Sequence, residues 1–239
     1  MGERKNNNIE VFSDFDGTIT YKDLGDEIFR EFGEFEPYHS QLIDGKLKIA
    51  DYWKKVCSTL RVGEHEIRNY AGEQEIDPYF AKFTELCHEM NIPINIISDG
   101  FDVYITTVLE KAGITDVGLS CNRMIFGRDG TPEPLFPLAS ESCNCLCASC
   151  KRNAMLNKTD IDTVIVFIGD GYSDYCAAEH SDLIFAKGAL AAYCNANKIP
   201  HYPYRSFADV IRIFKNILPQ RLKQRNQSRL MRKKAFETE

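Results

Sequence analysis

Two aspartates, Asp14 and Asp16, stand one residue apart at the end of the apolar run in VFSDFDGTIT, with Gly17 and Thr18 behind them. Like charges at this spacing repel and resist burial, so something must compensate them. Two more apolar runs end in a similar way. NIISDG closes on Ser98, Asp99 and Gly100, and VIVFIGDGYSD carries Asp170 and Asp174. Carboxylates gathered on one edge raise one another's pKa. A hard divalent cation resolves that conflict, and Mg²⁺ typically takes one or two carboxylates together with phosphate and water. A calcium-binding EF-hand loop also alternates aspartates, but it needs Gly at its sixth position and Glu at its twelfth. Counted from Asp14, Gly17 is fourth and Gly25 is twelfth, so that reading fails. The residue types point to magnesium-assisted phosphate chemistry.

The elements that must position these residues are legible as short apolar runs at 9–12, 94–97 and 163–168, rich in Ile and Val and followed at once by Asp, Ser or Gly. Weaker strand candidates lie at 183–185 and from His201. Helical patterns at 101–112, 173–180, 190–197 and 206–218 alternate with them, which predicts an α/β fold with a parallel sheet. Ligands of such sheets bind outside the carboxyl ends of the strands, where the charged residues fall. Between 21 and 90 there is no strand pattern but several amphipathic helical ones, read as a helical cap inserted after the first strand. A smaller insertion at 122–137, two strand-like runs around a Gly- and Pro-containing turn, reads as a β-hairpin. The core is then 1–20 and 91–218, and 219–239 is a tail.

The chain has 239 residues, 44% hydrophobic and 27% charged, an ordinary soluble composition. The polar start MGERKNNN has no apolar region of a secretory signal, and no apolar stretch approaches the roughly 20 residues that span a bilayer. A cytoplasmic protein is the simplest reading. The net charge of −6 is uneven: the tail holds seven Lys/Arg and two Glu, leaving an acidic body. No aromatic residues interleave the basic ones in RLKQRNQSRLMRKK, so a solvated terminal helix or frayed end is preferred over a nucleic-acid contact. The five histidines lie outside the motifs and are read as structural or exposed. Nothing in the sequence sets an oligomeric state.

The motifs resemble those of the haloacid dehalogenase superfamily of phosphohydrolases. Asp14-Phe15-Asp16-Gly17-Thr18 matches its first motif, Ser98 at a second strand end its second, Lys151 opening a helix its third, and GDGYSD its fourth, in the expected order across 9–174. The resemblance implies a nucleophilic Asp14 that forms an aspartyl-phosphate, and an Asp16 that protonates the leaving oxygen and then deprotonates water. It implies Mg²⁺ held by Asp14, the backbone carbonyl of Asp16 and Asp170, supported by Asp174. Thr18, Ser98 and N–H groups near Gly100 would hold the phosphoryl oxygens, and Lys151 would neutralise charge on the transferring group. Lys158, on the same helical stretch, competes for that last role.

The arrangement of cap and hairpin resembles the phosphoserine-phosphatase-like branch, with a small phosphorylated metabolite as the implied substrate. Asp23 stands where that branch can engage a substrate amine. Val56 stands where its carboxylate-binding arginine would be, with Lys54 and Lys55 as nearby substitutes. The run Cys147-Ala148-Ser149-Cys150-Lys151 and the segment SDLIFAKGALAAYCNANKIPHYPYRSF are similar to the methionine-salvage subgroup, which dephosphorylates a methylthio-pentenyl phosphate. Asp99 departs from that subgroup and resembles phosphoethanolamine and phosphocholine phosphatases, where an Asp faces the substrate ammonium. On that reading Asp99→Ala raises KM for amine substrates selectively. A phosphotransferase and a non-catalytic phosphometabolite sensor remain as other classes. Four of the nine cysteines, Cys143, Cys145, Cys147 and Cys150, lie within eight residues. They could ligate zinc, form a redox-sensitive pair, or simply pack the turn before Lys151.

Overall fold

The computed structural model describes residues 8–128, 130–140, 147–220 and 222–238. Strand β1 (Ile9–Ser13) lies inside the sheet, with the fully buried Val11 on one face and Phe12 on the other. Beside it are β2 (Ile94–Phe101) and β5 (Val164–Gly169), and outward from these β3 (Gly118–Phe126), β4 (Pro132–Leu135), β6 (Leu183–Ala186) and β7 (Tyr202–Pro203). The order is β4-β3-β2-β1-β5-β6-β7, parallel throughout except for the antiparallel β3–β4 pair. Alternation splits the core. Val11, Val166 and Ile168 join the larger cluster on one face, and Phe12, Ile165 and Phe167 the smaller one on the other.

Five helices separate β1 from β2: α1 (Leu24–Phe32), α2 (Tyr38–Ile43), α3 (Ile49–Ser58), α4 (Glu64–Gly72) and α5 (Phe80–Glu89). The chain leaves and returns at one place. Thr20 and Ile76 form an antiparallel bridge, and the Asp77 N–H donates to the Ile19 carbonyl at 2.8 Å. Asp77 Oδ2 then accepts the N–H of Phe207, the first residue of α10 (Phe207–Ile217), at 2.7 Å. The cap was expected to run to residue 90, yet α5 lies beyond the return point. Phe80 and Phe83 set their rings 4.9 and 5.5 Å from Phe207, so α5 packs on α10. Amphipathicity identified the helix without saying which surface its apolar stripe meets.

The hairpin expected as an insertion is an extension of the sheet. Gly118 to Ser120 pair with β2, and the same strand runs on through Arg123–Phe126 to pair with β4. Pro132 and Pro134 deprive the β4 edge of N–H donors, which blunts it against further pairing.

After β2 come α6 (Asp102–Lys111), then α7 (Lys151–Leu156), α8 (Tyr175–Glu179), α9 (Gly188–Ala196) and, in the basic tail, α11 (Asn226–Glu237). This last helix is docked, against the expectation of a solvated or frayed end. Arg232 is 2% exposed and donates to Asp182 Oδ2 at 3.0 Å, while Ser228 donates to Asp182 Oδ1. The Arg225 guanidinium donates to the carbonyls of Ala178, Glu179 and Ser181, satisfying the end of α8. Asp182 also accepts the N–H groups of Ile165 and Arg225 at 2.9 and 2.8 Å. Asp182→Ala strands the N–H groups of Ile165 and Arg225 and the buried Arg232 charge, and is expected to cost about 3–5 kcal/mol in urea denaturation. A loss under about 1 kcal/mol would show that the tail is not anchored through Asp182.

Candidate active site

The register brings three chain exits together. Ser13 pairs with Ile96 of β2 and Ile168 of β5, so β1 and β5 end side by side next to the stretch of β2 that carries Ser98. Asp14 continues the strand, donating its N–H to the Ile168 carbonyl at 2.9 Å. Its Oδ1 accepts the Phe15 N–H at 2.8 Å and the Lys151 ammonium at 2.7 Å. Lys151, the first residue of α7, is 2% exposed and also donates to Asp174 Oδ1 at 2.6 Å. The exposed Lys158 is not part of this contact. Asp174 is wholly buried, and its other oxygen accepts the N–H groups of Asp170 and Gly171, each at 2.9 Å. Thr18, expected at the phosphoryl oxygens, donates its hydroxyl to Asp170 Oδ1 at 2.6 Å. Gly17 at φ +70° is needed there twice over: a Cβ would be strained and would stand 2.6 Å from Asp170 Oδ2.

Asp14 and Asp174 share the Lys151 ammonium, and Asp170 feels only the less direct charges of Lys187 and Lys151, so negative charge is in excess. Burial, then Asp174 and Asp170, push the Asp14 pKa well above the usual carboxylate range against the pull of Lys151. Burial opposes the Lys151 charge, but Asp14 and Asp174 outweigh it and hold its pKa above the ordinary value. One oxygen from each of Asp14, Asp170 and Asp174 lies within 4.8 Å of the others, the group among the described residues best placed to share a metal ion. All are hard oxygen donors, which suits Mg²⁺. Among the described residues, Asp14 and Asp170 each keep an oxygen without a hydrogen-bond donor, whereas both Asp174 oxygens are taken, so Asp174 stands behind the other two.

Asp16 faces the helical segment. Its Oδ1 accepts the Leu24 N–H and its Oδ2 the Tyr104 hydroxyl, both at 2.9 Å. Burial and the nearby Asp23 charge push its pKa up to about 8, despite those two hydrogen bonds. Asp23 is exposed and caps α1, accepting the Asp26 N–H at 2.8 Å. Ser98, 1% exposed, accepts the Gly100 N–H at 2.9 Å, which leaves its own hydroxyl hydrogen available.

Asp99 does not share that direction. Its Oδ1 accepts the N–H groups of Ala148 and Ser149 at 2.7 and 2.6 Å, and Asn122 Nδ2 bonds its backbone carbonyl at 2.7 Å. The carboxylate expected at a substrate ammonium instead ties down the turn that leads into Lys151. Val56 is fully buried in the core, and Lys54 and Lys55 lie on the exposed face of α3, Lys55 over the Tyr38 ring. Of the four clustered cysteines, Cys143 and Cys145 lie outside the described residues. Cys150 is buried immediately before Lys151, its N–H on the Leu138 carbonyl, and Cys147 is half-buried.

The sequence reading missed Tyr104, Asn122 and Lys187. Lys187 immediately follows β6, its ammonium 5.2 Å above the Tyr204 ring, half-buried and near Asp170. Its signal was available, since it closes an apolar run as Asp14 and Asp170 do. No helix among the described residues is long and apolar enough to cross a membrane.

The haloacid dehalogenase-like hydrolase family matches residues 11–179, most of the chain. A 2-hydroxy-3-keto-5-methylthiopentenyl-1-phosphate phosphatase of Brevibacillus brevis is 29% identical over 211 residues, 87% of this chain and 95% of the relative. One of the same name from Bacillus mycoides is 28% identical, covering 90% and 99%. Among solved structures, a phospho-aspartyl intermediate analogue of phosphoserine phosphatase aligns with TM-score 0.65 at 20% identity, over 86% of this chain and 98% of that one. Phosphoserine phosphatase from T. onnurineus aligns with TM-score 0.65 at 18% identity, over 90% and 98%. Those structures share the fold. With its three strand-end motifs and the helix-opening Lys151 inside the matched span, this chain belongs to the haloacid dehalogenase-like hydrolase family.

Proposed function

We propose that the chain is a magnesium-dependent phosphomonoesterase that cleaves a small phosphorylated metabolite through an aspartyl-phosphate. The observation that carries this reading is the buried Asp14 carboxylate, fixed 2.7 Å from Lys151 with one oxygen left free at the strand edge. That free oxygen attacks phosphorus, and Asp16 gives its proton to the leaving oxygen. Asp16 then takes a proton from the water that releases phosphate. Lys151 offsets the charge of the transferring group, and the free Ser98 hydroxyl donates to one of its oxygens. Mg²⁺, held by Asp14 and Asp170 with Asp174 behind them, supplies further neutralisation of phosphoryl charge when bound. Helices α1 to α4, entering and leaving through the Thr20–Ile76 bridge, form the cap that covers the ester.

For the substrate, the methionine-salvage phosphate named for the two relatives is favoured over phosphoserine. The position expected to bind a serine carboxylate is the buried Val56, and neither neighbouring lysine points inward with it. Asp99, spent on the Ala148–Ser149 turn, gives no support to an ammonium-bearing ester. The test is phosphate release, with Mg²⁺ and after chelation, from the methionine-salvage intermediate, phosphoserine, phosphoethanolamine and pyridoxal phosphate. A Mg²⁺-dependent preference for the first is expected. A preference for phosphoserine would reject the substrate, and no turnover of any ester by folded, Mg²⁺-loaded protein would reject the function.

A further inference from the structure

Tyr104 lies in the first turn of α6 and is 1% exposed, yet its hydroxyl reaches the proton-carrying residue of the site, 2.9 Å from Asp16 Oδ2. The space around that hydroxyl is cut to its size. A Cβ on Gly100 would overlap it, and one on Gly25 would approach it to 3.1 Å. A strand and a helix thus both give up side chains around a single oxygen. The second Asp16 oxygen accepts the Leu24 N–H, so the carboxyl is gripped from α6 on one side and α1 on the other. Packing alone does not ask for this hydroxyl, because phenylalanine fills nearly the same volume with no polar atom to satisfy.

We infer that Tyr104 is a positioning residue for acid–base catalysis, holding the plane of the Asp16 carboxyl so that its proton faces the ester oxygen. The inference rests on the role proposed above for Asp16. In the first half-reaction an Asp14 oxygen bonds to phosphorus as the P–O ester bond breaks. The electron pair of that bond goes to the leaving oxygen, which takes the Asp16 proton and departs as an alcohol. In the second, water bonds to phosphorus, its proton passes to Asp16, and the bond between Asp14 and phosphorus breaks. Tyr104 gains and loses no proton in either half. Its donated hydrogen bond strengthens as Asp16 becomes a carboxylate, so it matters most when the leaving group must be protonated.

Leaving-group dependence of kcat/KM in Tyr104→Phe, at saturating Mg²⁺, tests this. An alkoxide needs a proton to leave and p-nitrophenolate does not. The variant is expected to lose about 30-fold or more on an alkyl phosphate that the wild type hydrolyses, but under about threefold on p-nitrophenyl phosphate. Inhibition by vanadate should be unchanged, since the phosphate contacts are untouched. Equal losses on both esters, or no loss on either, would overturn the inference. Should Tyr104→Phe fail to fold, Gly25→Ala keeps the hydroxyl but crowds it, and the same selective loss is expected. A uniform or absent loss there overturns it equally. A wild-type protein that releases phosphate from no ester would instead defeat the proposed function, which separates the two failures.

Discussion

Asp14→Asn is expected to lower kcat by about 10⁴-fold or more on every ester while leaving the fold intact. An amide of the same shape cannot attack phosphorus, and neither Asp174 nor Asp16 can replace it. Both Asp174 oxygens are bonded to Lys151 and to backbone N–H groups, and Asp16 is turned toward Leu24 and Tyr104. The same substitution makes a second prediction about sign. Burial and its acidic neighbours raise the Asp14 pKa, so the folded chain binds that proton more tightly than the unfolded chain does. The charged form therefore opposes folding: the opposition is complete above the raised folded pKa, fades as pH falls below it, and is gone below the unfolded pKa. In metal-free protein at pH 7 the amide removes it, so the melting temperature should equal or exceed that of the wild type. Hydroxylamine-sensitive phosphoryl label should accumulate on acid-quenched wild type and be absent from the variant. Activity within about tenfold of wild type would place the nucleophile elsewhere.

The centre of the site was legible because chemistry and structure share one signal there. Val11, Ile97 and Ile168 belong to runs that can only be buried strands, and each ends abruptly on a polar residue that cannot be buried without cause. What the sequence left open were directions. Ser98, Asp99 and Gly100 are neighbours in β2, and side chains alternate along a strand, so Asp99 turns away from the surface that Ser98 faces. Tyr104 reads as an ordinary core position of α6 until the glycines at 25 and 100 are brought beside it. Arg232 looks like one more solvated charge in the tail, because its partner Asp182 lies 50 residues away. The α/β class follows from local patterns, whereas the docking of α5 and α11 depends on long-range partners that no local pattern carries.

Lys151→Met is expected to cost about 10³-fold in kcat, because the transferring phosphoryl group loses its buried counter-charge. It should also destabilise metal-free protein by about 3–5 kcal/mol, since Asp14 and Asp174 are left facing each other with no cation between them. The two effects separate on adding Mg²⁺, which can restore stability by binding the carboxylates but does not return the ammonium to the phosphoryl oxygens. Arginine should not rescue, as a guanidinium has no room at a position only 2% exposed. Asp99→Ala is the graded form of the same experiment. It frees the Ala148–Ser149 turn that aims Lys151, so kcat should fall about tenfold on amine-bearing and amine-free esters alike. A loss confined to KM for amine esters would return Asp99 to the substrate. A Lys151→Met variant within about threefold of wild-type kcat would mean that the ammonium serves only to keep two carboxylates apart.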